Sequence, residues 1–526
     1  MPLINDNVTY TCNNSDPPCS FTRFRYIKVA DIILDNFDTR CDRYSIRLSG
    51  PDKSFFVIDD LKLYIKSEVL DFDMIQKTYS VSVILINSNT SETVVTRNHS
   101  VCVFPCDCDG ITTTTSSTTT TVTSSTTTTT TTITPGTQWV QRGIDIDGEN
   151  PYDNSGFSVS LSNDGNVLAI GAPQNKNENN SGHVRVYAWN GSEWIQRGID
   201  IDGENAFENN GFSVSLSGDG NVLAIGAPNY SLESRTLNSI DRLITGSAKV
   251  YDWSGSSWIQ RGFTIVKLGY STLGHAVSLN NDGNLLAIGC QSATNDFSGL
   301  VYFWNGSSWI QRGNNIYGPS SADGSGYSVS LSNDGNILSI GAPYHNGNGI
   351  RSGNTRIYSW NGSSWIPQVD IDGEGAYNLS GYSVSLSGNG NALAIGAPYN
   401  NKTGLAIASG HVRVYVLNGS SWVKQGDDID GEYGGDNSGC SVSLSDDGNI
   451  LAIGAIHNNS SGHVRVYYWN GSNWIKRGDD LYGEAIDDYS GWSVSLSSNG
   501  SVLAVGAVHN SGNGRHSGHV RVYVWS

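Results

Sequence analysis

The sequence predicts an all-β protein: a small β-sandwich and a Thr-rich stalk, then a seven-bladed β-propeller closed by pairing of its N- and C-terminal strands. Three observations lead to this fold class. The 526 residues include 61 Gly and 14 Trp, but only 15% are charged, against about 25% in an ordinary soluble domain. Residues 112–134 are almost entirely Thr and Ser. One sequence pattern then recurs seven times.

Composition and charge exclude several classes of protein. A hydrophobic content of 37% excludes wholesale disorder, and the Gly-rich profile with only 2 Met excludes a helical bundle. With 31 basic against 49 acidic residues the net charge is −18, so we expect no nucleic-acid partner. No run of about 18 apolar residues is present, so we expect no membrane span.

Residues 1–110 are predicted to form the β-sandwich, because short segments of alternating apolar residues recur there between Asp, Asn, Ser and Gly. Six cysteines in this domain are candidates for disulfides: Cys12, Cys19, Cys41, Cys102, Cys106 and Cys108. A zinc site at the last three is the alternative, although their C-x3-C-x-C spacing lacks paired C-x2-C knuckles. Disulfides indicate an extracellular setting.

The same domain resembles cadherin-like repeats. A strand at Tyr44-Ser45-Ile46, a hairpin through Leu63-Tyr64-Ile65, the turn Leu70-Asp71-Phe72-Asp73 and the strand Tyr79-Ser80-Val81-Ser82-Val83 follow in the order typical of that family. The DxD and DRE calcium motifs of cadherins are missing. The resemblance therefore implies a cadherin-like or Ig-like sandwich without calcium-dependent adhesion.

Residues 111–136 are predicted to be a Thr/Ser-rich linker. Such a tract cannot bury a core, and crowding at the β-branched side chains keeps it extended. We expect a spacer between two domains, O-glycosylated if a eukaryotic cell produces it. The first residues of the chain have neither a basic nor an apolar signal region. Either a signal was removed, or the protein leaves its cell without one, as a virion protein does on lysis.

Residues 137–526 are predicted to form the propeller, because they repeat one unit. Each unit opens with a Trp, 51 to 64 residues after the previous one. These residues are Trp139, Trp194, Trp258, Trp309, Trp365, Trp422 and Trp474.

Each unit contains four predicted strands, which we name A to D. In the first unit they begin at Phe157, Val167, His183 and Trp194, with tight Asp-Gly and Asn-Gly turns after A and C. Four antiparallel strands per unit are typical of a propeller blade. The Trp residues that flank each Asn-Gly turn are predicted to pack as cross-strand partners.

The two ends of the repeat predict that the ring closes. The first unit begins with a strand D, at residues 139–142, that has no preceding strand C. The last unit ends with a strand C, at residues 519–525, that has no following strand D. Because proteins avoid bare sheet edges, we expect these two strands to pair.

The unit resembles the FG-GAP repeat of the integrin alpha-subunit propeller, across 139–526. The matching signatures are Gly156-Phe157-Ser158 with Gly171-Ala172-Pro173, Gly211-Phe212 with Gly226-Ala227-Pro228, Gly326-Tyr327 with Gly341-Ala342-Pro343, and Gly381-Tyr382 with Gly396-Ala397-Pro398. The resemblance implies the fold. The family's calcium loop, D-x-D-x-D-G-x-x-D, is replaced by a short turn such as Ser162-Asn163-Asp164-Gly165-Asn166. We therefore expect no calcium in these loops and no cofactor.

Two cysteines interrupt the repeat. Cys290 replaces the alanine of GAP, and Cys440 stands where other units have an aromatic residue. Both positions face the core, so both are predicted to be free, buried thiols.

Strand direction divides the connections between two rims. We call the rim with the A–B and C–D turns the turn rim, and the rim with the B–C and D–A connections the loop rim. The B–C connections differ in length, from residues 229–246 to residues 292–299. Variable loops on a rigid scaffold are where binding sites commonly lie.

The D–A connections carry a repeated D-I-D-G-E element. Its acidic residues are the candidate ligand-binding group: Asp145, Asp147, Glu149, Asp200, Asp202, Glu204, Asp370, Asp372, Glu374, Asp428, Asp430 and Glu432. They could bind calcium or sugar hydroxyls, or they could shape a turn and accept backbone N–H groups between blades. Because the element recurs in at least four blades, we favour the turn.

Histidines recur at the start of strand C, at His183, His411, His463 and His519. One histidine per blade lies too far from the next to share a metal, so we expect a structural role and no metal site. N-glycosylation sequons occur throughout the chain, at Asn7, Asn13, Asn89, Asn98, Asn190, Asn229, Asn305, Asn361, Asn401, Asn418 and Asn470.

These patterns predict a non-enzymatic extracellular or virion-surface protein for adhesion or assembly. It would bind a glycan or a protein through the loop rim, with self-assembly as a further possibility. Neither G-x-S-x-G nor H-E-x-x-H is present, and the acid pairs are repeated rather than singular. Similar repeats beside poly-Thr tracts occur in marine microbial and viral surface proteins. The alternatives are a polysaccharide-active propeller hydrolase or lyase and a purely structural fibre or coat component.

Overall fold

The computed structural model of the protein describes residues 138–526 except 176–180, 237–238, 268–271, 292–296, 319, 321 and 402–407. Before residue 138 it describes only the backbone of nine strands. The chain divides into two compact units, Met1–Thr131 and Thr132–Ser526. The boundary therefore falls inside the Thr/Ser-rich segment.

The N-terminal unit contains two antiparallel sheets, of four and five strands. The strands are Ile4–Asn5, Asn7–Tyr10, Tyr26–Ile32, Tyr44–Ser49, Phe56–Asp59, Lys62–Lys66, Lys77–Asn87, Thr93–Val103 and Ile111–Thr119. The last pairs with Thr93–Val103 and with Asn7–Tyr10, although the sequence analysis assigned it to the linker. The six candidate disulfide cysteines and the sequons at Asn7, Asn13, Asn89 and Asn98 lie outside the residues whose side chains are described. The packing of the two sheets into a sandwich also depends on those side chains. The disulfides, these sequons and the sandwich therefore remain predictions.

The second unit is a seven-bladed β-propeller, as predicted. In blades 1 to 7, strand A is Ser158–Leu161, Ser213–Leu216, Leu273–Leu279, Ser328–Leu331, Ser383–Leu386, Ser438–Leu444 and Ser490–Leu496. Strand B is Val167–Ala172, Val222–Ala227, Leu285–Cys290, Ile337–Ala342, Ala392–Ala397, Ile450–Ala455 and Val502–Ala507. Strand C is His183–Trp189, Ser247–Trp253, Phe297–Trp304, Asn354–Trp360, His411–Asn418, His463–Trp469 and His519–Trp525.

Strand D is Trp194–Gln196, Trp258–Gln260, Trp309–Gln311, Trp365–Asp372, Ser421–Lys424, Trp474–Lys476 and Trp139–Gln141. A two-residue strand, here D′, follows it in blades 1, 3, 5, 6 and 7, at Ile201–Asp202, Ile316–Tyr317, Ile429–Asp430, Leu481–Tyr482 and Ile146–Asp147. Blade 2 adds a hairpin, Ser231–Thr236 with Ser239–Ile244. A 3-10 helix spans Asn458–Ser460, and no helix among the described residues is long and apolar enough to cross a membrane.

The ring closes between the two ends of the propeller sequence, which confirms the prediction. Strand D of blade 7, Trp139–Gln141, pairs antiparallel with strand C of the same blade, His519–Trp525. Trp139 lies opposite Trp525, and their ring centroids are 5.4 Å apart. Blade 7 is therefore built from both ends of the repeat.

Strand B is apolar along its length because each blade packs between two others. In blade 1, Leu168 and Ile170 join a buried cluster with Val502 and Val520 of blade 7. Ala169, between them, faces blade 2 and its Leu223. Alternate residues of one strand thus fill the two neighbouring interfaces.

The serines of strand A join neighbouring blades by hydrogen bonds. Ser158 Oγ donates to the carbonyl of Gly211 at 2.9 Å, and Ser160 Oγ accepts from the amide of Leu216 at 2.9 Å. The same bonds recur around the ring, for example from Ser213 to Gly274 at 3.0 Å. The repeated S-V-S-L pattern therefore stabilises the interfaces near the axis.

The Trp pairs are cross-strand partners, as predicted, and they also bind the preceding blade. Trp189 lies opposite Trp194 with ring centroids 5.5 Å apart. The guanidinium of Arg142, from blade 7, lies 4.6 Å from the Trp189 ring, and Trp194 Nε1 donates to the Arg142 carbonyl. Packing thus accounts for these aromatic residues.

Candidate functional site on the loop rim

Strand register brings the D-I-D-G-E and histidine motifs together. Strand D′ pairs with the first residues of strand C, so that Asp202 lies opposite His183 and Asp147 opposite His519. The sequence analysis treated the two motifs as separate features. In the structure they form one cluster at the loop-rim end of a blade.

Among the residues that the structure describes, four blades carry the same cluster of one histidine and two carboxylates. In each cluster one potential ligand atom from each residue lies within 4.8 Å of the others. The four clusters are Glu149, His183 and Asp200; Glu374, His411 and Asp428; Glu432, His463 and Asp480; and Asp145, Glu484 and His519. We call them the HDE clusters of blades 1, 5, 6 and 7.

The cluster of blade 1 illustrates the geometry. His183 Nδ1 lies 3.5 Å from an Asp200 carboxylate oxygen and 3.8 Å from a Glu149 oxygen. The imidazole is 1% exposed, whereas the Glu149 side chain is 41% exposed. Burial and the nearby Arg185 lower the pKa of His183 to about 4, so the imidazole is neutral at neutral pH.

A second layer of polar groups orients the aspartates. Gln196 Nε2 donates to one oxygen of Asp200 at 2.6 Å, and Gln141 donates to Asp145 at 2.7 Å. In blades 5 and 6 a lysine replaces the glutamine, and Lys476 lies 2.6 Å from Asp480. One carboxylate oxygen is thereby held, and the other faces the imidazole.

Six of the twelve candidate acids belong to these clusters, and the other six make different contacts. Glu204, in blade 2, lies 3.3 Å from the buried Lys249 ammonium. In blade 4, Asp370 pairs with Arg356 at 2.9 Å, and Asp372 accepts a hydrogen bond from Asn354 at 2.9 Å. The remaining acids, Asp147, Asp202 and Asp430, lie in strand D′ beside strand C.

Another set of acids accepts backbone N–H groups in the D–A connections. Asp436 Oδ2, 3% exposed, accepts from the amides of Glu432 and Tyr433 and from Asn458 Nδ2. Equivalent buried acids occupy four of the other connections, at Asp153, Glu208, Asp323 and Asp488. The sequence analysis missed them. The signal that identifies them is an acid four residues after three of the four D-I-D-G-E elements; Asn378 stands at this position after the fourth.

Five aromatic and imidazole rings form a continuous track on the loop rim. Successive ring centroids are 4.9, 4.4, 4.2 and 5.7 Å apart. The track runs through His457, Tyr489, His509, His516 and Tyr152. His509 and His516 are stacked nearly parallel. The sequence analysis did not single out these residues, because they come from four loops with no shared motif.

A polar cavity of about 330 Å³ opens beside the HDE cluster of blade 5. It is lined by that cluster together with Asn378, Asn400 and Asp430. A lining of carboxylate, amide and imidazole groups suits a hydrated cation or a polyhydroxyl ligand.

The turn rim offers different chemistry. In the A–B turn of blade 1, the carboxylate of Asp164 accepts hydrogen bonds from Ser162 Oγ and from the amide and side chain of Asn166. Burial raises the pKa of Asp164, but these bonds outweigh it and hold the pKa below its usual value. The oxygens are committed to shaping the turn.

Cys290 and Cys440 are thiols that form no disulfide, as predicted. Cys290 is fully buried, whereas Cys440 is only half-buried and its Sγ lies 3.4 Å from the Gly454 carbonyl. Burial raises the pKa of both thiols to about 12. Both are therefore protonated and weakly nucleophilic at neutral pH.

The seven candidate glycosylation asparagines of the propeller are exposed, at Asn190, Asn229, Asn305, Asn361, Asn401, Asn418 and Asn470. Several also shape their C–D turn. Asn190 Oδ1, for example, accepts from the amides of Ser192 and Glu193 at 2.9 Å. These seven sequons are accessible, and five of the asparagines also serve a C–D turn, where blade 2 has Ser254 instead.

No known protein-family model and no curated protein matches this chain. The FG-GAP and cadherin-like assignments therefore remain resemblances carried by the residues quoted above. The propeller fold is shown by the seven sheets of its blades and by the pairing of the first and last propeller strands in blade 7.

Proposed function

We propose that this is a non-enzymatic extracellular or virion-surface protein that binds a glycan through the loop rim of its propeller. The observation that carries the proposal is the ring track. Its rings are partly exposed, and they lie on the loop rim, which is rich in carboxylates. Flat rings offer apolar surface to a sugar face, and carboxylates accept hydrogen bonds from sugar hydroxyls. The propeller fold suits such binding but does not by itself specify it.

The non-enzymatic part of the proposal rests on symmetry. The carboxylates of the rim and the histidines of the HDE clusters recur from blade to blade, whereas a catalytic centre uses a singular set of residues. The variable B–C connections, including the blade 2 hairpin Ser231–Thr236 with Ser239–Ile244, supply the means of distinguishing ligands.

Glycan-array binding by the full chain tests the proposal. We expect glycan binding that is reduced at least tenfold in the double variant Tyr489→Ala/His509→Ala, because the centre of the track is removed. Tyr468→Ala is the matched control, since Tyr468 is 39% exposed on strand C, outside the track. It should bind like the parent.

Three results would contradict the proposal. They are the absence of glycan binding, equal binding by the track variant and the parent, and turnover of a polysaccharide by the purified protein. Binding that depends on residues 229–246 as well as on the track would extend the site to blade 2.

A further inference from the structure

We propose that each HDE cluster binds one divalent transition-metal ion, Zn²⁺ by the chemistry of its donors, so that the propeller holds four such sites between neighbouring D–A connections. The proposal is independent of glycan binding by the ring track. The ligands would be the histidine Nδ1, one aspartate oxygen and one glutamate oxygen.

The distances suit ligands around an ion better than hydrogen-bonded partners. His183 Nδ1 lies 3.5 and 3.8 Å from its two carboxylates, and His411 Nδ1 lies 3.8 and 3.9 Å from those of blade 5. A hydrogen bond would bring these atoms to about 2.7–3.2 Å. Two ligands at about 2.0–2.1 Å from one zinc ion lie roughly 3.0–3.4 Å apart. A small inward movement would therefore complete each site.

The histidines themselves point to a missing partner. His463 and His519 are 0% and 1% exposed, yet among the described residues neither ring nitrogen of either histidine has a hydrogen-bond partner. The Nδ1 of His519 faces Asp145 at 3.5 Å. A buried polar group without a partner costs free energy, and a metal ion would satisfy it.

The blades without this histidine provide an internal comparison. Strand-C register places Ser247, Ser298 and Asn354 at the histidine position in blades 2, 3 and 4. Blades 2 and 3 also replace the aspartate, by Thr264 and Asn315. Blade 4 keeps the aspartate but has Pro319 in place of the glutamate. The histidine is thus present only where both acids are present, as a three-ligand site requires.

Access and charge also suit a cation. The glutamates of the four clusters are 35–48% exposed, so each site opens to solvent. Two carboxylates match the charge of a divalent ion, and an arginine lies 3.7–3.8 Å from one oxygen of each glutamate. One imidazole with two carboxylates favours zinc or a similar ion over calcium, which prefers about six to eight oxygens.

The residue that holds the aspartate of each cluster differs between blades, which predicts two classes of site. In blades 1 and 7, neutral Gln196 and Gln141 hold the aspartate. In blades 5 and 6, Lys424 and Lys476 do so and add a positive charge. We expect the sites of blades 1 and 7 to bind the ion more tightly.

Metal counting on the full chain tests the proposal. The protein is stripped with chelator, dialysed against Zn²⁺ and analysed by elemental mass spectrometry. It is compared with a variant in which His183, His411, His463 and His519 are all changed to Asn, the residue that blade 4 carries at this position. We expect the parent to bind four more ions per chain than the variant. The six N-terminal cysteines are common to both proteins, so any zinc they bind cancels.

A second variant controls for the possibility that the histidine variant loses zinc because it misfolds. The four glutamates are exposed, so Glu149→Gln, Glu374→Gln, Glu432→Gln and Glu484→Gln together should preserve the fold while weakening zinc binding at least tenfold. Equal zinc content in the parent and both variants would overturn the proposal. So would Ca²⁺ competing with Zn²⁺ at comparable concentration.

Discussion

At the scale of single residues, the inner ends of the A strands form a ring around the propeller axis. Phe157, Phe212, His275, Tyr327 and Tyr382 follow one another with centroids 4.6–4.9 Å apart. Trp492 lies 5.4 Å from Phe157, and Cys440 occupies the position between Tyr382 and Trp492 in sequence order. A single titratable imidazole therefore sits in an otherwise aromatic and thiol ring.

This imidazole predicts a pH-dependent stability. Burial lowers the pKa of His275 to about 4, although a hydrogen bond to the Tyr327 carbonyl at 3.0 Å raises it. The unfolded chain, with a histidine pKa of about 6.5, binds the proton first as the pH falls. His275 therefore costs stability progressively between about pH 6.5 and pH 4.

Between pH 7 and pH 4 the unfolding free energy of His275→Phe should fall by about 3 kcal/mol less than that of the parent. The reverse variant Phe212→His should lose more, because it adds an imidazole at the equivalent position. Urea denaturation at several pH values measures this. Parallel stability curves for the three proteins would contradict the explanation.

The sequence motifs indicated which ionisable residues lie on the loop rim, but not which of them come together in one cluster. The acids and histidines were visible as separate motifs, yet Glu149 and Asp200 reach His183 from two different D–A connections. Their meeting depends on the register of strand D′ on strand C, and a two-residue strand carries too little pattern to define register. The ring track was missed for a different reason: its residues come from four loops without a shared motif, and Tyr152 and His516 meet only in the closed ring.

At the scale of elements, the A–B turn requires glycine for two reasons. Gly165 has φ 68°, and a Cβ there would lie 2.6 Å from the Val502 side chain of blade 7. Gly191, in the C–D turn, has φ 104°, but among the described residues a Cβ there would meet no atom within 4 Å. The A–B turn is thus packed against a neighbouring blade, whereas the C–D turn projects into solvent.

We expect Gly165→Ala to lower the unfolding free energy by about 1–3 kcal/mol more than Gly191→Ala, since both alter a positive-φ residue but only the first also overpacks an interface. Chemical denaturation of the two matched variants tests this. Equal losses would show that backbone conformation alone decides the effect.

Period-two patterns and Asp-Gly turns were sufficient to predict strands A to D of every blade. The shorter elements were not predicted. The blade 2 insertion was expected only as a long loop, but it contains a hairpin. In blade 4 strand D continues to Asp372 without a separate D′. Both features depend on strand pairing within a single blade, which the pattern shared by all seven units does not show.

At the scale of the whole molecule, closure by strand D of blade 7 predicts a large effect of a small deletion. Removing residues 138–143 takes away Trp139 and its pairing with Trp525, and exposes the edge of strand C. We expect a severe fall in melting temperature, measured by calorimetry on the full chain. Deleting residues 120–125 from the Thr tract is the control and should leave the propeller transition unchanged. An unchanged transition in the first variant would refute closure as a source of stability.

The architecture of the propeller was predictable because its blade pattern is repeated seven times in the sequence. Because one pattern occurs seven times, its strands can be recognised even where a single unit is irregular. The unmatched strands D and C at the two ends indicate which strands pair to close the ring. The N-terminal domain has a single copy of each of its segments, so its sequence supports a sandwich only through alternation and the cadherin-like order of its strands.

Closure between the two ends also has a consequence during synthesis. Residues 139–141 emerge from the ribosome early, but their partner strand ends at residue 525, so blade 7 must wait until almost the whole propeller sequence has been made. Until then the nascent ring has unpaired edges at both ends, which can pair with other chains. We therefore expect completion of the ring to be a late step in biogenesis, and products of premature termination to aggregate rather than persist as smaller propellers.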